Sequence, residues 1–311
     1  MNKIIITGGT GFIGRHLIRS LLIDSDNTVT LVTRNPRQST HSSGRIDTVS
    51  WDLKDLTQAI EGARCVVNLA GEPILGLWTK AKRKRILESR VGTGTRIRKA
   101  IEKATHKPDV LIQASAVGYY GNRGDEELDE HSSRGNGFLS EVSEQWENSI
   151  QSVEDCGVRE CRIRSGIVLG DDGFMRQMMQ SFRFHINLIM GTGRQWIPWI
   201  HMRDEIGAIR FLMDHENAAG VFNLTNPNPV RYSSLVRGIA EYHRRSLTIR
   251  LPAILLRVLA GDFAREVLLA NQRVLPRRLT DLGFRWKYAE IEDALGDLLS
   301  TEKKEPAASI E

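Results

Sequence analysis

Short apolar, β-branched runs alternate with longer amphipathic stretches from residue 3 to about residue 170. This pattern predicts strands over 3–7, 28–33, 46–51, 65–69, 110–115 and 160–164, with helices over 12–22, 53–60, 80–104 and 138–153 between them. The strand interiors are apolar without alternation, as strands buried on both faces must be, so the rhythm implies a parallel sheet covered by helices. Pro108 stops the third helix just before a strand, and Cys156-Gly157 ends the fourth. Beyond Gly170 the rhythm breaks. A Met- and Phe-rich stretch, 174–190, leads through Gly191-Thr192-Gly193 into Trp196-Ile197-Pro198-Trp199-Ile200-His201. A strand-like 221–224 and the turn Asn226-Pro227-Asn228-Pro229 follow, and residues 232–299 read as mostly helical and arginine-rich. The expected division is a first domain over 1–170 to which 199–225 returns, a smaller region from 171–198 and 226–299 that covers it, and a loose tail over 300–311.

The first strand runs straight into Gly8-Gly9-Thr10-Gly11-Phe12-Ile13-Gly14, and the first helix opens there. Glycines let the backbone turn tightly and approach a pyrophosphate, while a helix N-terminus offers it unpaired N–H groups and the positive end of a dipole. The expectation is a Rossmann-like dinucleotide site contacted by Gly8, Thr10, Gly11, Phe12, Ile13 and Gly14. At the end of the second strand, Val32-Thr33-Arg34 has no acid where an NAD-specific site holds the ribose 2′-hydroxyl. A guanidinium at Arg34 suits a 2′-phosphate, so NADP(H) is expected ahead of NAD(H); the other reading is an exposed loop arginine. Asp52 and Leu53 follow the third strand, beside the adenine, and Leu69-Ala70-Gly71 follows the fourth, close under the cofactor. Ser89 and Ser115 complete the expected contacts, with Glu72 at the edge of the reaction site.

Composition adds little that is specific. The 311 residues are 41% hydrophobic and 26% charged, enough for a sizeable core. A formal charge of +5 fits nucleic acid or an anionic ligand, but the densest run, Lys80 to Arg85, opens a helical pattern and reads as a solvated face. No zinc-finger spacing or RNA-binding aromatic signature accompanies it, so no nucleic-acid partner is expected. Cys65, Cys156 and Cys161 form no C-x-x-C pair, so they are expected to be inert thiols and no metal is expected. The first apolar run is too short for a signal segment or a span, so a cytoplasmic protein without a membrane partner is expected.

Taken together, Gly8–Gly14, Asn68-Leu69-Ala70-Gly71, Ser115 to Gly121, Arg164 to Gly170 and Trp199-Ile200-His201-x-x-Asp204 resemble the extended short-chain dehydrogenases/reductases, the NAD-dependent epimerase/dehydratase group. Ala70 to Ile74, Phe138 to Val142, Trp146-Glu147 and the ending from Pro276 to Phe284 look like one atypical branch, whose members go under "epimerase family protein" and sometimes "cell-division inhibitor". The resemblance runs from residue 1 to about 299. It implies a doubly wound α/β sheet, a small C-terminal substrate region and dimerisation through helices 80–104 and 138–153. It also implies catalysis by a Tyr-x-x-x-Lys pair helped by a serine, the lysine lowering the tyrosine's pKa so that it moves a proton as hydride moves. That pair is missing. No lysine occurs between Lys107 and Lys287, and none of Tyr119, Tyr120, Tyr232, Tyr242 or Tyr288 has one four residues on. Matching Trp146-Glu147 to the family helix puts Leu139 at the tyrosine's place and Ser143 at the lysine's, and the serine's place, four before the tyrosine of Tyr120-Gly121, holds Ala116.

Other groups must therefore supply any chemistry. Tyr119 and Tyr120 follow the fifth strand, as acids or as packing over the cofactor; Glu72 is a base if burial raises its pKa, or a cap. Ser115 is expected to hydrogen-bond near the nicotinamide. The substrate pocket is expected to draw on Glu141, Gln195, Trp196, Trp199 and His201, with His201 and Asp204 also read as structural. Arg194, Arg273, Arg277 and Arg278 suit an anionic substrate such as a nucleotide-sugar, or simply solvation. Two functions are compatible with this set: an NADP(H)-binding oxidoreductase or epimerase-like enzyme, and a catalytically degenerate, cofactor-sensing regulatory protein.

Overall fold

A computed structural model describes residues 2–36, 44–242 and 247–300. Seven parallel strands form the central sheet: β1 (Asn2–Thr7), β2 (Asn27–Val32), β3 (Ile46–Val49), β4 (Cys65–Asn68), β5 (Val110–Ala116), β6 (Arg159–Ser165) and β7 (Gly220–Leu224). Their spatial order is β3-β2-β1-β4-β5-β6-β7, all neighbours parallel. The order reverses between β1 and β4, and the crevice outside the carboxyl ends of these two strands is where a doubly wound sheet binds ligands.

Alternate residues of β1, β4 and β5 serve two cores, which is why these strands read as apolar runs, whereas β6 alternates Cys161 and Ile163 with Glu160, Arg162 and Arg164. Ile4 and Ile6 of β1 pack with α1 (Phe12–Leu21) and α6 (Met202–Asp214), while Ile5 packs with α2 (Leu53–Ile60) and α3 (Lys80–Lys103) on the other face. α4 (Phe138–Asn148) lies along α3 and ends five residues before the expected 153. There Ser149 donates its hydroxyl back to the Trp146 carbonyl and the chain enters a turn, although Ile150 and Val153 remain buried.

The smaller lobe has its own core, built by α5 (Gly173–Phe182), α7 (Tyr232–Glu241) and α10 (Ile291–Ser300) around Trp199. α8 (Ala253–Phe263) is kinked at Gly261, whose φ of +53° is not helical, and leads into a π-turn, Ala264–Leu268, before the short α9 (Arg277–Asp281). The lobe is less helical than its sequence implied, since Leu247–Leu251 forms a strand parallel to Ile186–Met190. No described helix is long and apolar enough to cross a membrane. Cys65 and Cys161 are buried, Cys156 is half-buried, and all three are free thiols.

Candidate functional site

The glycine turn leaves no room for side chains. Gly8 has φ +68°, and a Cβ there would lie 2.6 Å from the carbonyl oxygen of Leu69; one on Gly14 would lie 2.3 Å from the carbonyl oxygen of Gly8. The chain after β4 therefore runs in contact with the turn after β1 at Leu69 and Ala70, whereas a Cβ on Gly71 would lie 3.2 Å from the Arg90 guanidinium carbon. Gly11 caps α1 without a side-chain hydrogen bond, and the first turn carries no acid, so nothing competes for the amides of Phe12, Ile13 and Gly14. These features fit a pyrophosphate. Phe12 is half-buried against Gly170, and Arg15 reaches Asp171 and Asp172 at 3.1 and 3.2 Å, which ties the chain after β6 to this helix.

Arg34 is exposed just past β2 and has no ion-pair partner among the described residues; residues 37–43 beyond it lie outside them. Asp52 caps α2, its side chain accepting from the Lys54 amide at 2.8 Å, with Leu53 half-buried behind it. Ser89 sits under the β4 loop, accepting from the Glu72 amide at 2.9 Å, and Arg90 bonds the Glu72 carbonyl at 3.0 Å. Burial lowers the Arg90 guanidinium to about 10, partly offset by Glu72. The basic run on α3 is largely paired: Lys82 meets Glu72 at 2.9 Å, Arg83 meets Asp262, and Lys84 meets Glu88 at 3.7 Å.

Two buried polar chains cross the sheet's carboxyl end. In the first, Thr7 donates to Asn68 at 2.6 Å, and Asn68 donates to Gln113 at 2.9 Å. In the second, Glu147 accepts from Ser115 at 2.6 Å and from Nε and an Nη of Arg164, both at 2.8 Å. Arg164 also donates to the Tyr120 hydroxyl at 3.0 Å, which donates to Asn223 at 2.7 Å, whose amide N–H bonds Glu130 at 3.0 Å. Ser115 thus spends its proton on a carboxylate inside the fold. Tyr120 is fully buried, and burial pushes its phenol up to about 12, opposite to what a proton-transfer tyrosine needs. Tyr119 is half-buried with the Arg164 guanidinium 3.4 Å above its ring centroid. The Glu72 carboxyl is held below its ordinary range by the Lys82 ammonium, with burial opposing, so the condition set for Glu72 as a base, a pKa raised by burial, is not met.

α4 brings the two substituted positions against the turn Val117–Tyr120. A Cβ on Gly118 would lie 3.1 Å from Leu139 Cβ and 3.8 Å from the Ser143 hydroxyl. Beside them opens a cavity of about 460 Å³, lined by Gly118, Arg123, Leu139, Glu266 and Gln272 among others. Glu266 reaches in from the π-turn and accepts from the Phe138 and Leu139 amides at 3.1 and 2.8 Å, at the start of α4. Gln195 and Trp196 stand behind this wall: Gln195 donates to the Leu268 carbonyl at 3.1 Å, and the Trp196 amide donates to Asn271 at 2.7 Å. Trp199 is fully buried with its indole on the Asn228 carbonyl, Glu141 is exposed, and His201 caps α6 against Tyr288 and Asp297. Asp204 accepts from the Lys287 and Tyr288 amides at 2.7 and 3.0 Å. Sequence reasoning missed Glu266 and the Glu147–Arg164 pair; polar Asn68 and Gln113 inside apolar strands were the one visible sign of the first chain.

The NAD dependent epimerase/dehydratase family matches residues 4–225, which include the glycine turn and all seven strands but for the first two residues of β1. The chain belongs to that family. A domain of unknown function, DUF1731, matches residues 251–298. An epimerase family protein of Staphylococcus epidermidis is 34% identical over 301 residues, 96% of this chain and 99% of that protein. Epimerase family protein YfhF of Bacillus subtilis is 33% identical over 304 residues, 97% of this chain and 99% of its own length. The crystal structure of human epimerase family protein SDR39U1 (isoform2) with NADPH superposes at a TM-score of 0.85 and 30% identity, covering 96% of this chain and 99% of that one.

Proposed function

We propose that the protein binds NADP(H) and acts as an oxidoreductase or epimerase-like enzyme on a small, nucleotide-sugar-like molecule held in the cavity beside Gly118 and Leu139. The observation that carries this reading is the uncapped N-terminus of α1 over two glycines that no side chain can replace. Arg34, exposed where an NAD-specific site would carry an acid, favours the 2′-phosphate, and the human relative was solved with NADPH. When bound, the nicotinamide supplies hydride transfer. The chain's own part is to hold the pyrophosphate at Gly8–Gly14 and to wall the cavity with Leu139, Glu266 and Gln272. A second reading, a cofactor-sensing protein without turnover, is favoured by one specific observation: Ser115 and Tyr120 both spend their hydroxyls on buried partners.

Calorimetric titration of NADPH and NADH into the wild-type chain and Arg34→Asp tests the cofactor assignment. Loss of a charge-assisted contact to the 2′-phosphate weakens NADPH by about tenfold to a hundredfold and leaves NADH little changed. Equal losses for both cofactors exclude Arg34 as the 2′-phosphate contact. Nicotinamide oxidation with a panel of nucleotide-sugars and small carbonyl compounds then separates turnover from sensing.

A further inference from the structure

Nine of the eleven large apolar side chains exposed among the described residues lie on α8 (Ile254, Leu255, Val258, Leu259), on the strand 247–251 and the neighbouring Phe184 (with Leu247 and Ile249), and at Leu75 and Leu77. Ile254, Leu255, Val258 and Leu259 are 73%, 44%, 77% and 66% exposed, and their spacing sets them on one side of the helix. The opposite side is anchored, because Leu256 and Phe263 are buried and Trp78 packs edge-on against Phe263 at 5.8 Å. The stripe continues at both ends. Through Pro252 it meets the strand Leu247–Leu251, where Leu247 is 65% exposed and its amide bonds the His185 carbonyl next to the 77% exposed Phe184. Beyond Trp78 lie Leu75 and Leu77, 46% and 65% exposed.

Charge decides what covers this face. Arg183, Arg250 and Arg257 are exposed on the same segments, and none has an acidic partner among the described residues. The acid on α8, Asp262, is engaged by Arg83 and Arg265. The free charges on these segments are therefore all positive. A second copy related by a two-fold axis would set these arginines against their own images, which costs energy, whereas an anionic lipid surface pairs with all of them at once. A short helix with an apolar side rimmed by arginine is the form that lies in a bilayer interface without crossing it.

We propose that α8 and the adjoining strand dock the protein on anionic phospholipid surfaces, with Ile254, Leu255, Val258 and Leu259 entering the headgroup boundary and Arg183, Arg250 and Arg257 pairing with lipid phosphates. This departs from the expectation of no membrane partner, which rested on the absence of a spanning segment; docking needs none. It is independent of the cofactor assignment.

Flotation of the full chain with vesicles of phosphatidylcholine alone, or with a third of phosphatidylglycerol, tests it. The expected result is binding to the anionic vesicles at least about tenfold stronger than to the neutral ones, weakened by salt. Ile254→Asp with Val258→Asp abolishes it, and Arg250→Glu with Arg257→Glu lowers it by at least about tenfold. Both pairs are exposed, and an unchanged thermal midpoint shows that the variants remain folded. Absence of flotation with anionic vesicles overturns the proposal. So does undiminished binding of the aspartate variant, and so does a wild-type dimer in sedimentation that this variant dissociates, which would assign the stripe to a second copy.

Discussion

Glu147 and Arg164 hold the polar residues of the candidate site in place from inside the fold. Both are almost fully buried, and the fork of hydrogen bonds between them also fixes Ser115 and Tyr120. Removing one charge leaves the other desolvated and unpaired, which costs about 3–5 kcal/mol. Glu147→Ala is expected to lose that much in urea unfolding. The double change Glu147→Leu with Arg164→Met recovers most of it, because an apolar pair of similar volume carries no desolvation penalty. Equal instability of the single and double variants would mean that packing, not charge, dominates there. None of this was legible in the sequence, since residues seventeen positions apart on a helix and a strand meet only once β6 is known to lie beside β5. The glycine turn was legible, because Gly8, Gly11 and Gly14 meet within seven residues and their constraint is local.

At the scale of elements, β1, β4 and β5 were readable because burial on both faces leaves continuous apolar runs, whereas Leu247–Leu251 was hidden in an expected helical region. Its residues are mostly exposed, so no periodicity marks them. The start of α4 also depends on something distant. Its N-cap residue, Gly137, offers no side chain, and the carboxylate of Glu266 supplies the missing acceptor from another element. Glu266→Ala is expected to destabilise the fold by about 1 kcal/mol, through the lost cap and the lost anion at the dipole. It should also speed hydrogen exchange at the amides of Phe138 and Leu139 ahead of the rest of α4. Uniform exchange along α4 in wild type and variant alike would show that the contact does not hold the helix start. Because Glu266 lines the cavity as well as capping α4, the same measurement with ligand present reports whether a substrate displaces it.

For the whole molecule, two buried titratable groups set opposing slopes in stability against pH. Glu205 is fully buried with a hydrogen bond from Ser165, and burial raises its carboxyl from 4.5 to about 8. Its contribution is complete below about pH 4.5 and is lost as pH rises through about 8, because the folded state holds a proton that the unfolded state has released. His201 is the reverse: burial lowers its imidazole from 6.5 to about 4, with Asp297 opposing. Its contribution is complete above about pH 6.5 and is lost as pH falls through about 4. Each slope is about 1.4 kcal/mol per pH unit, so the contributions of these two groups cancel between roughly pH 4.5 and 6.5, and of the pair only the Glu205 decline remains from there to about pH 8. Glu205→Gln should remove that decline and uncover a rise in stability from acid pH to neutrality. His201→Asn keeps a cap for α6 and should extend the Glu205 decline down towards pH 4.5. Urea unfolding of the three proteins across this range measures both slopes, and parallel curves would show that neither group is buried as the fold places it.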